Sequence, residues 1–203
     1  MVHAVPRLTE TLAQVLRDLC IVFHYQNSHD HQYITPIMIE TGQKAPDFTL
    51  NDSEGRPVAL SQYRGSTVVV YFYPKDDTPG CTKEACSFRD NWPAIVARGG
   101  GAGGEAAAGG IVVLGISADD EASHRAFAEK YDLPFTLLSD PETKVIRQWG
   151  AWGTKNMYGK VFEGILRYTY IVDGEGVVRK VFKKVKTDEH AREVLDAITE
   201  LGL

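Results

Sequence analysis

The sequence has few cysteines, no strong excess of charge and no long apolar run, and each shortage excludes a class of protein. Three cysteines in 203 residues cannot form the framework of a disulfide-stapled domain. A net charge of -5, from 22 basic and 27 acidic residues, argues against a nucleic-acid partner. No apolar run approaches the length of a bilayer-spanning helix, so we expect no membrane association. The composition that remains, 43% hydrophobic and 24% charged, is typical of a globular protein able to bury a core.

Residues 1–38 are predicted to be an N-terminal extension, partly helical or disordered. Apolar residues in 8–23 recur at helical spacing, and a polar stretch follows them. No basic region precedes an apolar one, so we expect no secretory signal and a cytoplasmic protein. Met38 opens a segment that looks like a domain start, which leaves a mis-set start codon open. His29 and His31 lack a third ligand at a convincing spacing, so a solvated loop is favoured over a metal site.

The rest of the chain, residues 39–203, is predicted to be one α/β domain. Short β-branched and aromatic runs indicate strands, and apolar spacings of three and four indicate helices. The predicted strands are 47–50, 57–60, 68–73, 111–116, 135–138, 168–172 and 177–182. The predicted helices are 80–98 with a break between Asp90 and Pro93, 121–131, 142–149 with Pro141 at its first turn, and 187–201 capped by Thr187 or Asp188. This alternation predicts a mixed central sheet flanked by helices on both faces.

Residues 99–110 interrupt this pattern with seven glycines and four alanines in twelve positions. Such a composition is typical of a flexible linker that does not pack. We interpret it as a loop insertion within the domain, away from the chemistry, because the elements on either side are too short to stand alone.

The stretch 73–86, which reads Y-P-K-D-D-T-P-G-C-T-K-E-A-C, carries the chemical information. It follows a predicted buried strand and opens a helix, so Cys81 lies where backbone N–H groups lack partners and the helix dipole is positive. Both effects favour the thiolate, which is the nucleophilic form of cysteine. Thr78 can present its hydroxyl to the same place, and Pro74 and Pro79 stiffen the loop. An inert buried cysteine explains this context poorly.

Cys86 lies five residues beyond Cys81, and its interpretation is more open. In a regular helix two such Cα atoms are ~8.7 Å apart on different faces, whereas a disulfide needs less than about 7 Å. The two sulfurs therefore cannot bond while the helix is intact. Taken alone, Cys86 also fits a small buried apolar residue. The spacing excludes a thioredoxin-type C-x-x-C pair and disfavours zinc, and we expect no metal and no cofactor.

These residues resemble a known family. Residues 74–81 match the P-x-x-x-T-x-x-C signature of peroxiredoxins, and T-P-G-C-T-K-E-A-C-S-F-R-D-N closely resembles the bacterioferritin comigratory protein, or peroxiredoxin Q, subfamily. Further matching strings are G-Q-K-A-P-D-F-T-L at 42–50, V-L-G-I-S at 113–117, L-L-S-D at 137–140 and M-Y-G-K at 157–160. The resemblance covers about residues 39–203.

The resemblance implies a thioredoxin-like fold and an atypical 2-Cys, thioredoxin-dependent thiol peroxidase. Carried over by position, Cys81 is the peroxidatic cysteine, Cys86 is the resolving cysteine of an intramolecular disulfide, and Thr78 hydrogen-bonds the peroxide. Pro74 shields the pocket, and Arg167 stabilises the thiolate. Without the family pattern, Arg167 would be interpreted as a solvated charge at a strand edge. Cys20 falls outside the pattern, and we interpret it as an incidental apolar residue.

Two functions from different classes remain open at this point. The first is an enzyme that reduces hydrogen peroxide and organic hydroperoxides, is recycled by thioredoxin, and is a monomer because both cysteines are on one chain. The second is a redox-sensing thiol switch that uses the same two cysteines to change shape. Thr78 and Arg167 favour the enzyme, because a switch does not need groups that activate a peroxide.

Overall fold

A computed structural model describes residues 39–101, 109–157 and 159–203. The predictions for the N-terminal extension with Cys20, His29 and His31, and for residues 102–108 of the Gly/Ala-rich loop, lie outside the described residues. No helix within the described part of the chain is both long and apolar enough to cross a membrane.

The central strand of the sheet has no polar face. Strand β3 (Thr67–Phe72) is buried at every position, as its β-branched and aromatic run predicts. It pairs in parallel with β4 (Ile111–Ser117) and antiparallel with β8 (Thr169–Val172). Pro74, which has no amide hydrogen to donate, follows the strand and helps to end it.

Seven of the described strands form one mixed sheet in the order β2-β1-β5-β4-β3-β8-β9. Its other members are β1 (Thr49–Asp52), β2 (Pro57–Ala59), β5 (Thr136–Ser139) and β9 (Val178–Phe182). A one-turn 3-10 helix, Leu60–Tyr63, follows β2. Strand β1 lies two residues later than predicted, because its register is set by pairing with both β2 and β5.

Helices cover the sheet on both sides. Helices α1 (Pro79–Asp90), α2 (Trp92–Val96), α3 (Glu121–Tyr131) and α5 (His190–Leu201) contribute to the hydrophobic cluster on one face. Helix α4 (Lys144–Gln148) contributes to the cluster on the other. The predicted α/β fold class, with helices on both faces of a mixed sheet, is confirmed. The predicted break before Pro93 is also present, with Asn91 between α1 and α2.

Two predicted helix starts are wrong, and each has a local cause. Helix α4 begins at Lys144, because Thr143 adopts a left-handed conformation at φ 55°. The Asp140 carboxylate then accepts hydrogen bonds from the backbone N–H groups of Lys144 and Ile146, at 3.0 and 2.8 Å. Pro141 therefore lies outside the helix. Helix α5 begins at His190 rather than at 187, because residues 187–189 form a separate turn and no side chain caps the helix.

A hairpin between α4 and β8 is absent from the predicted elements. It consists of β6 (Trp152–Met157) and β7 (Lys160–Ile165), which pair antiparallel as a separate two-stranded sheet. Gly153 and Gly164 face each other across the pair, and polar residues occupy much of the rest. Glycine and charged residues weaken the pattern by which strands are recognised, so no strand is predicted here.

Candidate active site

The site begins where β3 ends and α1 starts. Thr78 is the N-cap of α1, Pro79 is its first residue, and Cys81 lies in the first turn with only 2% of its surface exposed. The amides of the first turn have no carbonyl partner within the helix, so the sulfur lies at the positive end of the helix dipole. The local sequence therefore places a buried thiol where a negative charge is favoured.

Arg167 reaches this sulfur from the segment between β7 and β8. Its Nη2 lies 3.2 Å from Cys81 Sγ, and its side chain is 20% exposed. A guanidinium at this distance donates a charge-assisted hydrogen bond to a thiolate. The structure thus brings the two residues together and does not leave Arg167 as a solvated strand-edge charge.

A buried carboxylate, which the sequence analysis did not single out, holds the other side of Arg167. Glu84 is fully buried, and its Oε2 forms an ion pair with Arg167 Nη1. Burial raises the pKa of Glu84 to about 7, although the charge and hydrogen bond of Arg167 act in the opposite direction. One guanidinium therefore contacts two acidic groups, Cys81 and Glu84.

The spacing of α1 explains why both acids reach the same cation. Cys81, Glu84, Ala85 and Phe88 are all buried, at positions i, i+3, i+4 and i+7 of one helix face. Three of these side chains are apolar, so Glu84 is an acid in an otherwise apolar stripe. That placement is the signal that could have identified it, since a buried carboxylate needs a partner.

Thr78 and Pro74 lie on the segment that leads from β3 into α1. The Thr78 hydroxyl donates to the carbonyl of Lys75 at 3.0 Å, and both Thr78 and Pro74 are half-buried. With this geometry the Thr78 oxygen keeps a free lone pair for a further donor. The structure places Thr78 at the N-cap of α1, three residues before Cys81, and shows no direct hydrogen bond from Thr78 to the sulfur.

Cys86 lies in the same helix and is half-buried, and both cysteines are free. Helix α1 continues from Pro79 to Asp90 without interruption. Their Cα atoms are therefore separated as helix geometry requires, and the two sulfurs can meet only after part of α1 unwinds.

Two consecutive aspartates clamp the loop before α1 onto α3. Asp76 is buried and accepts hydrogen bonds from Tyr73 at 2.7 Å and from Ser123 at 2.8 Å, while its Oδ2 lies 2.8 Å from His124 Nδ1. Asp77, at φ 53°, is held by Lys130 and Tyr131, each at 2.6 Å. The loop that carries Pro74 and Thr78 is thereby fixed relative to Cys81.

Further polar groups lie around Arg167 and Glu84. His190, fully buried on α5, places its Nε2 4.0 Å from Glu84 Oε1 and 2.7 Å from Thr169 Oγ1. Burial, with a smaller effect of Arg167, lowers the pKa of His190 to about 4. On β6, burial and the charge of Arg167 lower the pKa of Lys155, whereas Cys81 acts to raise it. His190 and Lys155 stand far from the motif in sequence, and no pattern around them indicated this placement.

In the part of the chain that the structure describes, no group of three or more histidine, cysteine, aspartate or glutamate side chains could hold a metal ion. The arrangement consists of a buried thiol, a guanidinium and a carboxylate at a helix N-terminus. It can stabilise a thiolate and the negative charge that develops on an oxygen near it.

The comparisons with known proteins point to one family. A model of the AhpC/TSA family matches residues 41–181. The chain is 50% identical over 157 residues to a putative peroxiredoxin bcp of Coxiella burnetii, covering 77% of this chain and 97% of that protein. It is 42% identical over 164 residues to peroxiredoxin Bcp of Bacillus subtilis, covering 81% of this chain and 98% of the relative.

Solved structures give the same picture. The bacterioferritin comigratory protein of Xanthomonas campestris, described for its alkyl peroxide reduction activity, superposes with a TM-score of 0.67 at 35% identity, over 77% of this chain and 92% of that one. BcpB of Mycobacterium tuberculosis superposes with a TM-score of 0.66 at 32% identity, over 80% of this chain and 98% of that one.

Proposed function

The chain belongs to the AhpC/TSA family and is a thiol peroxidase of the Bcp/peroxiredoxin Q type, and we propose that Cys81 is its peroxidatic cysteine and Cys86 its resolving cysteine. The observation that carries the proposal is the 3.2 Å contact between Arg167 Nη2 and the buried Cys81 sulfur. It supplies a fixed positive charge to a thiol at a helix N-terminus, the setting in which cysteine becomes a nucleophile.

In the first step the Cys81 thiolate attacks one oxygen of a hydroperoxide. The O–O bond breaks, Cys81 becomes a sulfenic acid, and the other oxygen leaves and takes up a proton to give water or an alcohol. Arg167 stabilises the charge that moves from sulfur to the leaving oxygen. Thr78, whose hydroxyl is already oriented by Lys75, accepts a hydrogen bond from the peroxide, and Pro74 shields the pocket.

In the second step Cys86 condenses with the Cys81 sulfenic acid, a disulfide forms, and water is released. This step requires α1 to unwind locally, because an intact helix holds the two Cα atoms ~8.7 Å apart. Thioredoxin, as the proposed reductant, then exchanges its dithiol for this disulfide.

The substrate class is hydrogen peroxide and organic hydroperoxides. The Xanthomonas campestris relative, with its alkyl peroxide reduction activity, supports the second group of substrates. A monomer is proposed, because the reaction uses two cysteines of one chain. The proposed location is the cytoplasm.

The test is peroxide consumption coupled to thioredoxin, thioredoxin reductase and NADPH. We expect turnover in the wild type and none in Cys81→Ser. Cys86→Ser should still form a sulfenic acid that a dimedone probe traps, but should not be recycled by thioredoxin. Cys20→Ser is the matched control and should keep full turnover.

Two outcomes would contradict the proposal. Peroxide consumption no faster than that of a free thiol would favour a redox-sensing thiol switch over a peroxidase. Unchanged thioredoxin-dependent turnover in Cys86→Ser would remove Cys86 from the resolving role.

A further inference from the structure

Two acidic groups on α1 share one cation. Arg167 Nη2 contacts Cys81 Sγ at 3.2 Å, and Arg167 Nη1 pairs with Glu84 Oε2. Cys81 and Glu84 are both buried, at 2% and 0% exposure, so water screens the two negative charges weakly. When both groups are ionised, two buried anions face a single guanidinium. The two groups therefore compete for the charge of Arg167.

The second oxygen of Glu84 indicates how this imbalance is resolved. Glu84 Oε1 is buried without a hydrogen-bond partner, which is costly for a carboxylate oxygen but much less so for a protonated carboxyl group. The pKa of Glu84, raised by burial to about 7, agrees with a proton on this group near neutral pH. With Glu84 neutral, the whole charge of Arg167 is available to the Cys81 thiolate.

Two of the other ionisable groups around this pair, His190 and Tyr71, do not supply a second counter-charge. His190 on α5 is fully buried, and its pKa is lowered to about 4, so it is neutral near pH 7. Tyr71 on β3 is buried, and its pKa is raised well above the usual value, chiefly by burial. Lys155 on β6 is the remaining cation, and its pKa is lowered by burial and by Arg167.

We infer that Glu84 is a proton-holding positioning residue, which carries a proton while Cys81 is a thiolate and releases it when Cys81 becomes a sulfenic acid. Glu84 touches Arg167 and not the sulfur, so it acts through the guanidinium. The inference deepens the proposed function and rests on Cys81 being the peroxidatic residue.

The reaction balances with Glu84 as the proton donor. The thiolate, the hydroperoxide and the Glu84 carboxyl give the sulfenic acid, the alcohol or water, and the Glu84 carboxylate. The thiolate sulfur is oxidised, and the peroxide O–O bond is reduced. The leaving oxygen, which departs as an anion, gains one proton. Because the sulfenic acid is neutral, Arg167 is then free to pair fully with the new carboxylate.

A row of polar groups links Glu84 to the protein surface. His190 Nε2 lies 4.0 Å from Glu84 Oε1, and His190 Nδ1 lies 3.6 Å from Glu193 Oε2. The Glu193 side chain is 35% exposed, and His190 Nδ1 is buried without a hydrogen-bond partner. Small movements of these side chains would let Glu84 regain its proton from solvent between turnovers.

The test uses infrared difference spectroscopy of the full chain with Cys86→Ser, which stops the reaction at the sulfenic acid. We expect hydrogen peroxide at pH 7 to decrease the C=O stretch of a protonated carboxyl group. The band should be lost in Glu84→Gln and retained in the matched control Glu129→Gln, which removes an exposed carboxylate on α3. A pH indicator in weak buffer gives the second readout. Fewer than one proton should be taken up from solvent for each Cys81 that is oxidised. This number should rise to one proton when Glu84→Gln is added.

The outcomes separate this inference from the proposed function. If Cys86→Ser forms no sulfenic acid with peroxide, the proposed function fails. If it forms the sulfenic acid while no protonated carboxyl is lost, or while the band survives Glu84→Gln, only the role of Glu84 is overturned. The test for loss of a protonated carboxyl group uses only Cys86→Ser, so it can overturn the role of Glu84 even if Glu84→Gln does not fold.

Discussion

Glu84 and His190 should make opposite contributions to the pH dependence of stability, and removing either should reveal the other. Burial raises the pKa of Glu84 from 4.5 to about 7 and lowers that of His190 from 6.5 to about 4. The Glu84 contribution is fully present below pH 4.5 and is lost as the pH rises through 7. The His190 contribution is present above pH 6.5 and is lost as the pH falls towards 4.

The sizes of the two effects follow from the pKa shifts. One pKa unit corresponds to about 1.4 kcal/mol, so each group changes the free energy of unfolding by about 3 kcal/mol over its whole range. Between pH 5 and 6 the Glu84 contribution to the free energy of unfolding falls with rising pH, and the His190 contribution rises at a similar rate. The wild type should therefore show little change from these groups in that window.

The substitutions are Glu84→Gln and His190→Gln, which keep polar groups of similar size. Glu84→Gln should lose about 1 kcal/mol of stability between pH 6 and pH 5, because only the His190 slope remains. His190→Gln should lose about 1 kcal/mol of stability as the pH rises from 5 to 6, because only the Glu84 slope remains. Urea unfolding of the reduced protein, followed by circular dichroism at constant ionic strength, measures both. Glu129→Gln is the control and should match the wild type.

One result would refute this reasoning. If Glu84→Gln keeps the wild-type profile between pH 5 and 6, Glu84 does not hold a proton in the folded state in this range. A profile of the opposite sign would show that burial does not dominate the electrostatics of the pair.

Three further predictions concern the contacts that position the thiol. Arg167→Gln should reduce the second-order rate with hydrogen peroxide by about 100-fold or more, measured by competition with a peroxidase, and a rate within twofold of wild type would remove Arg167 from the reaction. Asp76→Asn weakens the contact with His124 and should lower both that rate and the melting temperature, whereas an unchanged rate would show that the clamp does not position the loop. Ser87→Ala removes the acceptor of the Ala191 amide at 3.3 Å, so amide hydrogen exchange in α1 should speed up. Unchanged exchange would show that this hydrogen bond does not hold α1 against α5.

The sequence predicts the central part of this molecule well because its signals there are local. Strand β3 is a continuous apolar run, and α3 has the predicted bounds because Asp120 caps it by accepting from the Ser123 amide at 2.8 Å. The predicted peroxiredoxin resemblance and thioredoxin-like class are confirmed by the family match and by the solved structures.

The features that escaped prediction depend on contacts between distant residues. Glu84 and His190 lie on two different helices and come together beside Arg167 only once the chain has folded. Without the family pattern, nothing near Arg167 distinguishes it from a surface charge. The hairpin of β6 and β7 was missed for a related reason, since its paired glycines and polar residues carry no alternating pattern.

In the proposed cycle helix α1 must hold the Cys81 sulfur in place and then release it, and two anchors of the helix explain how both are possible. Phe88 fixes the later half by stacking on Tyr71, with ring centroids 5.2 Å apart, and by an edge contact with His190 at 5.7 Å. The first half is tied by Arg167, and a hydrogen bond to a charged group contributes roughly 1.5–3 kcal/mol. Oxidation removes the charge from Cys81 and with it this hydrogen bond, while Arg167 keeps its pairing with Glu84. Opening of the residues before Glu84 therefore becomes roughly 10- to 100-fold easier. Phe88 is unaffected by the reaction, so the later half of the helix, which carries Cys86, stays packed on the sheet while the first turns with Cys81 open.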